Sequence, residues 1–304
     1  MRRSALARIF VFFLTFSALL YELKFLSPFI AKATCPNADG APTVMNLTET
    51  ESKPTQTMDT RDVKEFFIAV TVKDRISYVK LFAEHANWLN ISDLADVHVF
   101  DNGSRQFSVM DLQSWFPYAT IHELDTLHDA DIVTRRAFEF FISNSSCRTL
   151  INVDSDALLH PEWQNFVRKV LPHSDGALSL YHSAAPHHQS SNCNEITCEK
   201  TTTGALGMVF RREVLQEALS EVQASKTQEK DSFDWALCAY LIKSGRKILV
   251  PRQSLVLHFG LHGAHGNGSS HVEVDKDFNM SSLSTTTRAQ VTFFTENKFV
   301  VSDE

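Results

Sequence analysis

The feature that most constrains this chain is a regular alternation in its first half. FFIAVTVK (66–73), DVHVF (96–100), ATIHEL (119–124) and RTLINV (148–153) are strand-length runs rich in β-branched, aromatic or leucine residues. ISYVKLFAEHANWL (76–89), residues 108–115 and DIVTRRAFEFFISN (131–144) lie between them with helical apolar spacing. Strands that alternate with helices predict an α/β fold around a parallel sheet, because each crossover helix returns the chain to the same end. Ligands of such sheets gather at the carboxyl ends of the strands. Asp74, Asp101 and Asp154 each stand at one of those ends. The sequence has no internal repeat.

The segment LINVDSDALLHPEW (150–163) sharpens the point. An apolar strand runs out into Asp154-Ser155-Asp156, so two carboxylates project from a rigid element into a cleft. Neighbouring anions repel, and they are tolerated when solvated or neutralised by a cation. A hard divalent ion, Mn²⁺ or Mg²⁺, accepts one or two carboxylates and completes its shell with water and phosphate oxygens. Asp154 and Asp156 are therefore metal-ligand candidates. His258 follows the strand-like run SLVL, and an imidazole there suits the same ion; a structural histidine is the plainer reading. His262 and His265 belong to a glycine-rich loop and are kept out of the metal shell. His182, His187 and His188 read as ordinary loop residues.

The rest of the chain sets the context. A net charge of -7 argues against a nucleic-acid partner. Residues 1–8 carry three arginines and read as a cytosolic tail. Residues 9–28, apolar over 9–21 and again after Glu22 and Lys24, fit a signal-anchor, although a signal peptide cleaved near Ala31-Lys32-Ala33 is also compatible. Either delivers the remainder to the secretory lumen. Residues 29–62 are rich in Pro, Thr, Ser and acidic residues and read as a flexible stem. The catalytic domain is expected over 63–275, and 276–304 form a C-terminal tail whose VTFFTENKFVV is read as an added edge strand. Sequons at Asn46, Asn90, Asn102, Asn144, Asn267 and Asn279 agree with a luminal chain. So does the spacing of Cys193 and Cys198, which suits a small disulfide loop, while Cys147 and Cys238 read as buried thiols. Cys35 is left over and is available to link two chains as a homodimer.

The order of these motifs resembles the GT-A-fold glycosyltransferases. IAVTVKDR is similar to their first strand and turn, VHVFDNGS to the second strand end, and LINVDSD to the Asp-x-Asp metal motif. TTTGALGMVFRREVL (201–215), DSFDWALCAYLI (231–242) and ILVPRQSLVLHFGLHG (248–263) resemble the N-acetylglucosaminyltransferase IV type of Golgi enzyme. The likeness covers residues 66–265. It implies a Rossmann-like nucleotide-binding half in a mixed sheet, joined to an acceptor-binding half.

What the resemblance implies for individual residues can be stated one by one. Asp74 and Asp101 would contact the uracil and ribose of a UDP-sugar, and Arg135 or Arg136 would approach its diphosphate. Carboxylates accept hydroxyl and N–H hydrogen bonds, and guanidinium groups match phosphates. A turn cap for Asp101 and solvated helix charges for the two arginines are the structural alternatives. Gly204 would let backbone approach the donor sugar, unless it is a plain turn. Asp234, beside Trp235, would be the catalytic base. Asp231 is read as the helix N-cap or an acceptor contact, both acids lying where a helix dipole favours anions. The implied reaction moves a sugar, N-acetylglucosamine by the resemblance, from a UDP-sugar to a hydroxyl of a glycan or glycoprotein. It is expected to invert the anomeric carbon, in a type II Golgi membrane protein. A metal-dependent luminal hydrolase and a non-catalytic carbohydrate-binding protein are the competing classes.

Overall fold

A computed structural model describes residues 64–124, 130–185, 188–224, 232–260 and 277–297. All belong to the compact unit Asp59–Glu304. The expected tail, anchor, stem, Cys35, Asp231, His187, His262 and His265 lie outside the described residues, as do the sequons at Asn46 and Asn267.

The first half alternates as expected. Strand β1 (Phe66–Val72) leads into α1 (Ile76–Trp88) and a short α2 (Ile91–Leu94). Strand β2 (Ala95–Asp101), α3 (Val109–Trp115), β3 (Thr120–Glu123), α4 (Ala130–Asn144) and β4 (Thr149–Asp154) follow. Helix α3 begins with a reciprocal cap, Ser108 accepting from the Asp111 amide and Asp111 accepting from the Ser108 amide. Beyond β4 come β5 (Ala157–Leu159), α5 (Trp163–Val170), β6 (Ala177–Ser179), β7 (Ser190–Ser191), β8 (Thr197–Lys200) and β9 (Met208–Arg211). The chain continues through α6 (Arg212–Ala224), α7 (Phe233–Lys243), β10 (Ile248–Pro251), β11 (Val256–His258) and α8 (Thr285–Asn297).

Nine strands form one mixed sheet in the order β3-β2-β1-β4-β9-β6-β10-β8-β7. The first four are mutually parallel, and β9 enters antiparallel to both β4 and β6. The α/β expectation, a Rossmann-like half within a mixed sheet, holds. Strand β1 shows how sequence builds the layers. Phe66, Ile68, Val70 and Val72 join one core cluster with Tyr78, Phe82 and Trp163, while Phe67 and Ala69 join the opposite one with Phe138 and Phe141. A strand buried on both faces is apolar throughout, which is why β1 reads as an unbroken hydrophobic run.

Two features differ from expectation. Residues 291–297 close a helix, α8, and do not form an edge strand. Its Val291 is buried, and Phe294 stacks 5.1 Å from Tyr78, so packing on α1 outweighs the strand propensity of VTFF. The second is the separate two-stranded sheet of β5 and β11, which pairs Ala157 with His258. Among the described residues no helix is long and apolar enough to cross a membrane.

Candidate active site

The parallel register decides which side chains share an edge. Thr71 of β1 lies opposite Asp154 of β4, and Val72 opposite Asp101 of β2. The carboxyl ends of three strands thus present Asp154, Asp101 and the turn carrying Asp74 side by side. Thr71 donates its hydroxyl proton to Asp154 Oδ1, which fixes that carboxylate against the sheet. The loop after β1 is locked to the loop after β2. Asp74 Oδ1 accepts from the amides of Arg105 (2.6 Å) and Gln106 (3.1 Å), while its own amide donates to Ser104 Oγ at 2.8 Å. Asp101 Oδ1 accepts from the amide and hydroxyl of Ser104 at 3.1 and 2.5 Å. Burial pushes the Asp101 carboxyl above its ordinary range, against the pull of the Ser104 hydrogen bonds. Both acids therefore shape this loop pair, in keeping with the turn-cap alternative. Asn102, buried alongside, has no room for a glycan, whereas Asn90, Asn144 and Asn279 are exposed.

Asp156 is the centre of the arrangement. It lies just before β5, and the β5–β11 pairing delivers His258 to it, with the Phe259 amide bonded to the Asp156 carbonyl at 3.0 Å. His258 Nε2 stands 3.6 Å from Asp156 Oδ2. Gly260 completes the cradle: a Cβ there would lie 2.5 Å from Asp156 Cγ and 2.6 Å from its Cβ, so only glycine fits. On the other side Arg75 Nη1 reaches the same Oδ2 at 2.9 Å. Asp156 is only 6% exposed. Burial opposes its ionisation, but the charges of His258 and Arg75 outweigh that and hold the carboxyl well below the usual range. Asp154 behaves oppositely: burial, then the neighbouring charge of Asp156, push its carboxyl up.

Among the described residues no three His, Cys, Asp or Glu side chains already converge tightly enough to hold a divalent metal alone. Two carboxylates and an imidazole at a strand end nevertheless suit an ion that takes few protein ligands and fills its shell from phosphate oxygens. On that chemistry Asp154, Asp156 and His258 fit the group.

The neighbouring loop brings in Asp234. Gly207 donates its amide to the Asn152 carbonyl at 2.9 Å, and Asn152 Nδ2 donates to the Ala205 carbonyl at 3.1 Å. The Ala205 amide in turn donates to Asp234 Oδ2 at 3.1 Å. Two hydrogen bonds in series, through Ala205, thus join β4 to the start of α7. Asp234 Oδ1 accepts from the Trp235 amide (2.8 Å) and from the Ser232 hydroxyl. Trp235 is 43% exposed beside it, with the buried His188 ring 6.4 Å away. The N-cap of α7 is Ser232, not Asp231, and Asp131 of α4 supplies the carboxylate that accepts from the Phe233 amide at 3.0 Å. Gly204 has space for a Cβ, 3.7 Å from Asp234 Oδ2. The demanding glycine of this turn is Gly207, at φ 72° and packed against the Tyr181 backbone.

Arg135 pairs with Glu139 one turn along α4 at 2.9 Å, and Arg136 is exposed on the same helix. The guanidinium that meets the acid pair is that of Arg75, which the sequence reading passed over. Its cue was its place directly after Asp74, in the turn at the end of β1. Thr71 and Gly260 were passed over too, although Gly260 lies in the HFG segment. His182 is structural, its Nδ1 2.7 Å from the Pro251 carbonyl. Cys193 and Cys198 are bonded, and Cys147 and Cys238 are buried thiols, as expected.

No family model matches the sequence, and no curated protein matches it. Among solved structures the chain is similar to S. aureus TarS residues 1–349, at 15% identity and TM-score 0.45, over 61% of this chain and 57% of that one. A further S. aureus TarS structure gives 15% and 0.44, over 61% of this chain and 35% of that one. TarS 1–349 in complex with UDP-GlcNAc gives 14% and 0.42, over 61% and 55%. The chain thus spans little more than half, and in one case about a third, of these neighbours. At such scores the likeness assigns no chemistry to this chain.

Proposed function

We propose that this chain is a metal-dependent glycosyltransferase that moves a sugar from a UDP-sugar to a hydroxyl of a glycan or glycoprotein in the secretory pathway. The observation that carries the reading is the meeting of Asp156 with His258 at the same sheet edge as Asp154, 102 residues apart in sequence. A carboxylate pair with an imidazole, opening where parallel strands end, suits a metal-bound diphosphate better than a protein surface. The sequence resemblance supports N-acetylglucosamine as the sugar, and the arginines before the apolar run support a type II anchor at residues 9–28; inversion is the expected outcome with Asp234 as base.

In this mechanism Asp154, Asp156 and His258 would hold Mn²⁺ or Mg²⁺, which when bound would supply positive charge to offset that of the departing diphosphate. Asp234 receives the acceptor proton as the acceptor oxygen bonds to the anomeric carbon. The bond from that carbon to the diphosphate breaks, and UDP leaves with the electron pair. The amides of Ala205 and Trp235 hold the Asp234 carboxylate in place. Trp235 offers an exposed ring for the face of an acceptor sugar.

The test is UDP release by the purified protein with UDP-sugars and Mn²⁺, with and without glycan acceptors. Release stimulated by acceptor supports the transferase. Release at full rate without acceptor indicates the hydrolase, and glycan binding without UDP or Mn²⁺ binding indicates the carbohydrate-binding protein.

A further inference from the structure

Arg75 reaches Asp156 by an unusual route. Asp74 and Arg75 both adopt left-handed backbone, at φ 47° and 54°, although neither is glycine. Such conformations cost about 1–3 kcal/mol each and persist only where the surroundings impose them. Here the Asp74 carboxylate, bonded to two amides of the next loop, imposes the turn. The turn swings the Arg75 guanidinium over the Tyr78 ring, 5.2 Å from its centroid, and onto Asp156.

The contact has the character of a placeholder. Arg75 Nη1 meets Oδ2, the oxygen that also faces His258 Nε2. Opposite charge holds the pair at 2.9 Å, with Nη1 buried in the contact. Gly260 packs on Asp156 with Oδ2 as its nearest atom and Cγ and Cβ behind. Gly260, His258 and Arg75 thus all meet Oδ2, and a metal ion that binds this oxygen competes with the guanidinium for it.

Building on the metal site proposed above, we propose that Arg75 is a resident counter-cation. It occupies the metal-facing oxygen of Asp156 in the metal-free protein and vacates it when a divalent cation binds. The charge of Asp156 is thereby offset before the ion arrives. Metal affinity is lowered by the fraction of molecules in which Arg75 occupies the oxygen. The partly exposed guanidinium, stacked on Tyr78, has solvent beside it to move into.

The experiment titrates Mn²⁺ alone into the wild-type protein, Arg75→Met and Arg75→Lys by calorimetry, with thermal unfolding measured with and without Mn²⁺. Arg75→Met should bind Mn²⁺ about tenfold more tightly, melt lower than wild type without metal, and recover with it. Arg75→Lys, which keeps the charge but loses the planar fork, should fall between. Equal or weaker Mn²⁺ binding by both variants overturns the competition while leaving the metal site standing. Absence of Mn²⁺ binding in all three proteins overturns the metal site and this proposal together.

Discussion

Gly260 and Asp156 are packed so closely that the backbone of one forms a wall against the side chain of the other. A methyl group at position 260 has to push the carboxylate out of its place. Gly260→Ala should therefore cost about 1–3 kcal/mol in stability, the range for overpacking, and should also abolish Mn²⁺-dependent UDP binding. Thermal unfolding and calorimetry on the same sample check both effects.

Asp154 and Asp156 should respond to amide substitution with opposite signs. The folded-state pKa of Asp154 is raised above the ordinary 3.8, so its ionised form costs stability as pH rises through that folded value. The folded-state pKa of Asp156 is lowered, so its contribution is present above about 3.8 and is lost as pH falls toward the folded value. At neutral pH and without metal, Asp154→Asn should stabilise the protein by about 1 kcal/mol. Asp156→Asn should destabilise it by about 1–3 kcal/mol, leaving Arg75 and His258 without their counterion. Both should lose metal-dependent UDP binding. Urea unfolding at pH 7 and pH 3 separates the two, the Asp156→Asn deficit shrinking only below about 3.8.

Asp234→Asn preserves shape but removes the proton acceptor. Turnover should fall by about 10²-fold or more, with UDP affinity unchanged. Steady-state kinetics and a UDP titration distinguish this from general damage to the α7 start.

The thiols offer a chemical check. Burial pushes Cys147 up and Cys238 up to about 12, so neither should be alkylated in the native protein at pH 8. Reducing Cys193–Cys198, which closes only a six-residue loop, should cost about 2 kcal/mol. Peptide mapping after labelling, with melting before and after reduction, reads both.

Phe294 stacks on Tyr78 at 5.1 Å and lies 6.3 Å from Phe259, the residue between His258 and Gly260. Phe294→Ala should lower stability by about 1–3 kcal/mol. It should also weaken Mn²⁺ binding, because Phe294 packs against Phe259, which joins His258 to Gly260 in the cradle. Calorimetry on the folded variant tests the second effect.

What the sequence disclosed follows from the range of each interaction. β1, β2, β4 and their terminal acids were legible because periodicity and strand-end position are local properties. His258 was reached through its strand-like lead-in. Arg75 was not, because its role depends on two left-handed residues and on Asp156, which is 81 positions away. The demand for glycine at 260 likewise arises from a partner 104 positions earlier. At α7 the local rule favoured Asp231 as the cap, but Ser232 takes the position and Asp131, from another helix, meets the first amide. The tail misled for the same reason: VTFF prefers strands in isolation, and Tyr78 decides otherwise.

The pairing of β5 with β11 also has a consequence for synthesis. Asp156 leaves the ribosome 102 residues ahead of His258, an interval of about 5–20 s at ordinary elongation rates. Throughout it the nascent parallel half already holds Arg75, while the imidazole side of the cradle does not yet exist. The site is thus completed late, by one of the last strands to emerge, and translation that stops before β11 yields a parallel half whose acid pair lacks its imidazole.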